Sequence, residues 1–114
     1  SEKMGITSFN VLDNEGNQVF GVNSLGDVNI KGTLTLSSEG TRRTSGTDNV
    51  PAYEVRAVIS SEAITEKSKV FLLLSDNTEI SPTIKISRTD NGFFEIMQDR
   101  ISDIDTVFNW FVIN

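Results

Sequence analysis

The chain has 114 residues, is 37% hydrophobic, and carries 16 acidic against 10 basic residues for a net charge of −6. It contains no cysteine and no histidine, so there is no disulfide framework, and the commonest general base and metal ligand is missing. The acidic balance argues against nucleic acid as a partner, and no apolar run approaches the roughly 18 residues of a membrane span. The length fits one domain, or one small domain plus an extension; so short a chain buries a modest fraction of its surface alone, and oligomerisation would help its stability. Ser1 in place of methionine suggests a fragment, a processed product or a cloning scar.

In chain order, Ile6–Asp13, Asn17–Asn23 and Asp27–Leu36 read as strands separated by Asn14-Glu15-Gly16 and Ser24-Leu25-Gly26. The glycines suit turn positions with positive φ. Gly16-Asn17 and Gly26-Asp27 lie ten residues apart, a faint internal repeat. Asp27–Leu36 alternates most clearly. Val28, Ile30, Leu34 and Leu36 fall on one face, while Asp27, Asn29, Lys31, Thr33 and Thr35 fall on the other. The first forty residues or so hold little that could cover that dry face, so a second copy of the chain is the economical partner. Val28, Ile30, Leu34 and Leu36 are the expected trimer interface.

Residues 37–49 lack strongly apolar side chains and read as a linker whose latter part could be an edge strand. The core is expected in residues 50–114, as a small antiparallel β-sandwich. Tyr53, Val55, Ala57 and Ile59 alternate with polar residues. Val70–Leu74 is apolar on both faces and reads as a central strand covered on both sides. Glu62–Lys67 has a slight helical leaning, one or two turns at most. Ile84 and Ile86 alternate with Lys85 and Ser87. Asp90-Asn91-Gly92 is a hairpin signal suited to a type I′ turn, leading to Phe94 and Ile96. Phe108, Trp110 and Val112 share a face of the last strand. The expected core is Val70, Leu72, Leu74, Phe94, Ile96, Phe108 and Trp110.

The run Phe9-Asn10-Val11-Leu12-Asp13, Gly16-Asn17, Val19-Phe20, Val22-Asn23, Gly26-Asp27-Val28, Ile30-Lys31-Gly32, Leu34-Thr35 resembles repeats of bacteriophage tail proteins and fibres. Ile64–Leu72, Thr89–Ile96 and Phe108–Ile113, with Thr44–Thr47 before them, are similar to a small β-sandwich at the ends of phage fibres and spikes. Phe108-Asn109-Trp110-Phe111-Val112-Ile113 also resembles the last strand of H-type lectin domains, trimeric sugar-binding sandwiches. The glycine usual before the first core strand is replaced by Val50-Pro51-Ala52-Tyr53.

The resemblance implies an all-β protein. Residues 1–36 would form an intertwined trimeric β-stalk of the β-prism or triple-β-helix kind, with the sandwich as its tip. It further implies a homotrimer in the virion, as part of a tail fibre, baseplate or capsid spike, attaching to a bacterial cell-surface saccharide. A purely structural trimerisation or folding segment without ligand is the alternative reading. A glycan-degrading enzyme is a third and poor one.

Loops should carry any ligand site. Asp76, Asn77, Asp90, Asn91, Arg100 and Asp103 offer donors and acceptors suited to sugar hydroxyls. The carboxylates Asp99, Asp103 and Asp105 could in principle serve a glycosidase or hold calcium, but nothing sets two of them opposite each other and no calcium-loop spacing is present. Solvated turn carboxylates explain them better, so no metal or cofactor is expected. Ser68 lacks a histidine to activate it or a nucleophile elbow around it, and reads as a hydrogen-bonded loop hydroxyl. Trp110 and Phe111 read as core by their periodicity, and Tyr53 as the aromatic most able to reach the surface. No catalytic set emerges.

Overall fold

The structure, a computed structural model, describes residues 7–75 and 81–114. The chain divides into two compact units, Ser1–Thr35 and Leu36–Asn114. The described residues form strands and turns without a helix.

The first unit is an antiparallel meander of β1 (Phe9–Leu12), β2 (Gln18–Val22) and β3 (Val28–Ile30), in the order β1-β2-β3. Its two turns are built alike. Gly16 N donates to Asp13 O (3.1 Å) and Asp13 N to Asn17 O (2.8 Å). Ten residues on, Gly26 N donates to Asn23 O (3.0 Å) and Asn23 N to Asp27 O (3.1 Å). Gly16 and Gly26 have φ of 86° and 88°. Each is thus a three-residue hairpin loop ending in a left-handed glycine, where a side chain would be strained. Side chains reinforce the repeat. Asp13 Oδ1 accepts from the amides of Glu15 and Asn17, and Asn23 Oδ1 from those of Leu25 and Asp27.

Register decides the faces. Phe9 pairs with Val22 and Val22 with Val28, while Val11 pairs with Phe20 and Phe20 with Ile30. These apolar residues therefore share one face of the sheet, as paired residues do. Asn10, Gly21 and Asn29 line up on the other. The expected ten-residue strand Asp27–Leu36 is correspondingly shorter. A shift in the β1/β2 register between Val11 and Leu12 ends regular pairing beside β2, and β3 finds partners only opposite Phe20–Val22, with Lys31 N still reaching Val19 O. Val28 and Ile30 remain on the exposed apolar face. Leu34 is exposed outside any strand, and Leu36 is half-buried at the start of the second unit.

The second unit has two three-stranded antiparallel sheets sharing one core. One has the order β4 (Ser45–Val50), β9 (Thr106–Ile113), β6 (Lys69–Leu74), and the other β5 (Arg56–Ser60), β8 (Phe93–Gln98), β7 (Ile84–Asp90). Val50, Phe108, Trp110 and Val112 from the first meet Ile59, Phe94 and Ile96 from the second, with Ile64 supplied by a loop. Alternation along β9 and β8 follows from having one wet face each.

Phe94, Ile96, Phe108 and Trp110 are buried as expected, whereas Val70 and Leu72 are half-buried flanks of the core and Leu74 is half-buried outside it. The reason corrects the reading of Val70–Leu74: β6 is an edge strand, not a central one, and its second face, Phe71 and Leu73, is exposed. The central strand of that sheet is β9. Residues 45–50 also belong to the sandwich, with Val50 fully buried. Their polar composition reflects an edge position with a wet outer face. Residues 61–68 form turns that bury Ala63 and Ile64.

Trp110 stands at the centre of the core. Its ring meets Phe94 edge-on at 5.2 Å, its Nε1 donates to Asp48 Oδ2 at 2.7 Å, and the Arg43 guanidinium lies over it while pairing with Asp48 at 3.2 Å. Gly46, paired with Trp110 across the strands, makes room for it: a Cβ there would lie 2.8 Å from Nε1.

Candidate functional site

The expected ligand residues divide between opposite ends of the sandwich. Asp90 and Asn91 precede β8, whereas Arg100 and Asp103 follow it. A strand of that length separates its ends by roughly 17 Å at about 3.3 Å per residue. The two groups therefore do not converge on one small ligand. Asp76 and Asn77 lie outside the described residues.

At the hairpin end, the polar side chains are engaged in holding loops together. Asn91 Oδ1 accepts from Glu66 N at 3.1 Å, while Gly92 N donates to Ile64 O at 2.8 Å. Asp90 accepts from Asn91 N and from Arg88, both at 2.8 Å, and these bonds hold its carboxyl below the usual carboxylate range. The expected hairpin is present but its turn is not type I′: Gly92 has φ of 90°, while Asn91 is not in the left-handed region. Bonds from the 61–68 loop fix that alternative. Ser68 Oγ accepts from Thr65 N at 2.8 Å and bonds Asn114, the structural role its surroundings suggested.

The other end is better built for a ligand. Backbone amides tie loops 51–55 and 81–83 to loop 99–105, through carbonyl and carboxylate acceptors. Tyr53 N donates to Ser102 O (2.8 Å), Ala52 N to Asp105 Oδ1 (2.8 Å), Thr83 N to Asp99 Oδ1 (3.0 Å) and Asp99 N to Thr83 O (3.1 Å). Asp99 also meets Arg100 at 3.5 Å.

Two features at this end stand apart. Tyr53 has φ of 65°, the one left-handed non-glycine among the described residues, and the residue is 71% exposed. A conformation glycine adopts freely is strained for tyrosine, by about 1–2 kcal/mol. Gln98 is the second. It lies 5% exposed in phase with Phe94 and Ile96, its Nε2 donates to Glu54 O at 3.0 Å, and its Oε1 is buried without a partner. The Glu54 bond fixes the amide orientation, so the oxygen is the atom left wanting a donor.

Beside Gln98 runs an open groove of about 450 Å³ lined by Thr83, Ile84, Lys85, Met97, Gln98 and Asp99. Its lining joins the apolar Ile84 and Met97 with Thr83, Gln98, a carboxylate and an ammonium, a mixture suited to an amphipathic, hydroxyl-rich molecule. Gln98 and Tyr53 were not both visible from sequence. A polar residue at the third inward position of Phe94-Ile96-Gln98 is the signal that marks Gln98, whereas the Tyr53 strain depends on loop closure against Ser102. Among the described residues, no group of three or more acidic side chains gathers to hold a metal.

Comparison with protein-family models, with curated proteins and with solved structures found no match.

Proposed function

We propose that this chain is a module of a trimeric bacteriophage tail fibre or spike, assembling through its first unit and offering the loop end of its second unit to a bacterial cell-surface saccharide. The observation that carries the reading is the apolar face of the β1-β2-β3 sheet, Phe9, Val11, Phe20, Val22, Val28 and Ile30 on one side, which no described residue of that unit covers. A lone three-stranded sheet with a dry face needs a partner to be stable. Three copies facing inward as a prism would supply it, and pairing of all three strands within one chain favours the prism over interwound strands.

The ligand reading rests on Tyr53, Gln98, Arg100 and Asp103 at one end of the sandwich. Three weak sites presented together would gain avidity without any strong single site. The role is binding and assembly, with no chemical step. The purely structural alternative draws support from Asp90 and Asn91, whose polar groups are occupied in holding the hairpin to its neighbouring loop.

Mass in solution and binding to host cells separate these readings. Phe20→Asp combined with Ile30→Asp should convert a trimer to monomers or aggregates. A trimer that persists at micromolar concentration would remove the assembly surface from the first unit. Tyr53→Gly should keep or raise the melting temperature by relieving the φ strain, yet reduce binding to cells or to a glycan array. Binding equal to the parent would leave the structural alternative standing.

A further inference from the structure

We infer that the outer face of the β4-β9-β6 sheet is a second self-association surface, meeting other copies of this chain. The inference rests on the self-assembly just proposed and extends it to the second unit. Phe71 and Phe111, paired across β6 and β9, stack at 4.7 Å and 9° on this face, and both are exposed. Leu73, Val107 and Ile113 are exposed on the same side, so the apolar surface is continuous across the two strands. An exposed patch of this kind in a folded unit marks an interaction surface or an aggregation hazard.

Charge identifies the occupant. The chain carries 16 acidic residues and a net charge of −6, so two copies repel wherever their carboxylates meet. The outward positions of this sheet hold Ser45, Thr47 and Asn49 on β4, Val107, Asn109, Phe111 and Ile113 on β9, and Lys69, Phe71 and Leu73 on β6. None is acidic and Lys69 is the one charge among them, so identical acidic chains can approach here without bringing carboxylates together. Three of the polar side chains on the face, Ser45, Thr47 and Asn109, are already bonded within their own chain. Thr47 Oγ1 donates to Asn109 Oδ1 at 2.6 Å, Asn109 Nδ2 to Ser75 Oγ at 3.2 Å, and Ser45 Oγ to Ser37 O at 3.2 Å. Burial against another copy would therefore strand none of these groups.

The chain has no cysteine, so a single introduced thiol reports burial cleanly. Leu73→Cys, with Ile113→Cys as a second reporter, is placed in the full-length chain, and Val58→Cys, exposed on the outer face of the other sheet, is the control. In the native assembly, alkylation at residue 73 or 113 should be about tenfold slower than at residue 58, and equal to it once the chain is unfolded in urea. Adding Phe71→Ser and Phe111→Ser should abolish that protection while the first unit holds the mass unchanged. An assembled protein whose thiols at 73 and 113 react as fast as at 58 overturns this inference and leaves the stalk reading intact. A monomeric parent overturns both.

Discussion

At the scale of single residues, Trp110 and its setting carry the clearest stability argument. It is buried against Phe94 and satisfied by Asp48. Trp110→Ala should cost about 3–5 kcal/mol, a large share of the roughly 5–15 kcal/mol that holds a domain together; chemical denaturation monitored by circular dichroism measures it. Gly46→Ala, a change of one methyl, should cost about 1–3 kcal/mol because the new carbon meets the indole directly. Asp13 gives a pH prediction. Amide bonds from Asn17 and then Glu15 hold its carboxyl below the ordinary value of 3.8. A lowered folded pKa means the contribution is present above that ordinary value and lost as pH falls through the folded one. The first hairpin should therefore loosen below about pH 4. In the second hairpin Asn23 accepts the same bonds with a neutral amide. Amide exchange at Glu15 and Asn17 should accelerate in acid relative to Leu25 and Asp27, and Asp13→Asn should remove the difference.

At the scale of elements, the hairpins separate what turn chemistry fixes from what neighbours fix. The two first-unit turns repeat because acceptor and glycine recur at the same spacing, Asp13 with Gly16 and Asn23 with Gly26. Such a turn is local and was legible as a ten-residue offset. The Asn91-Gly92 turn obeys another rule, since bonds to Ile64 and Glu66 select its conformation. Gly92→Ala should cost about 1–2 kcal/mol for the left-handed backbone, read as a lowered denaturation midpoint with unchanged m-value. Asn91→Ala should loosen the 61–68 loop, visible as faster exchange at Glu66 N.

At the scale of the molecule, folding and assembly are expected to be coupled. The described residues of the first unit leave its apolar face uncovered, so association supplies the burial its own strands lack. The melting temperature should then rise with protein concentration between about 1 and 100 μM, and a concentration-independent value would separate stability from association. The Phe20→Asp, Ile30→Asp chain should lose that dependence in its first unit while the sandwich, with its own core, still melts cooperatively.

Period-2 alternation and glycine-bearing turns were enough to determine an all-β chain, the Phe94-Ile96 and Phe108-Trp110 core, and an amphipathic first unit, because inward and outward residues alternate whatever the partner strand. Strand order was not determined that way. Val70–Leu74 is apolar on both faces, and alternation alone cannot tell a central strand from an edge strand whose outer side chains await another surface. Only the pairing of β6 with β9 decided it. The site divides in the same manner. Loop polarity named Arg100 and Asp103, but which loops share an end depends on strand direction, and so did the separation of Asp90 and Asn91 from them. The unpaired Gln98 oxygen and the strained Tyr53 arise from closure of loop 51–55 onto β8 and Ser102. Contacts between residues more than forty positions apart leave no mark in local pattern, so only the tertiary structure could supply them.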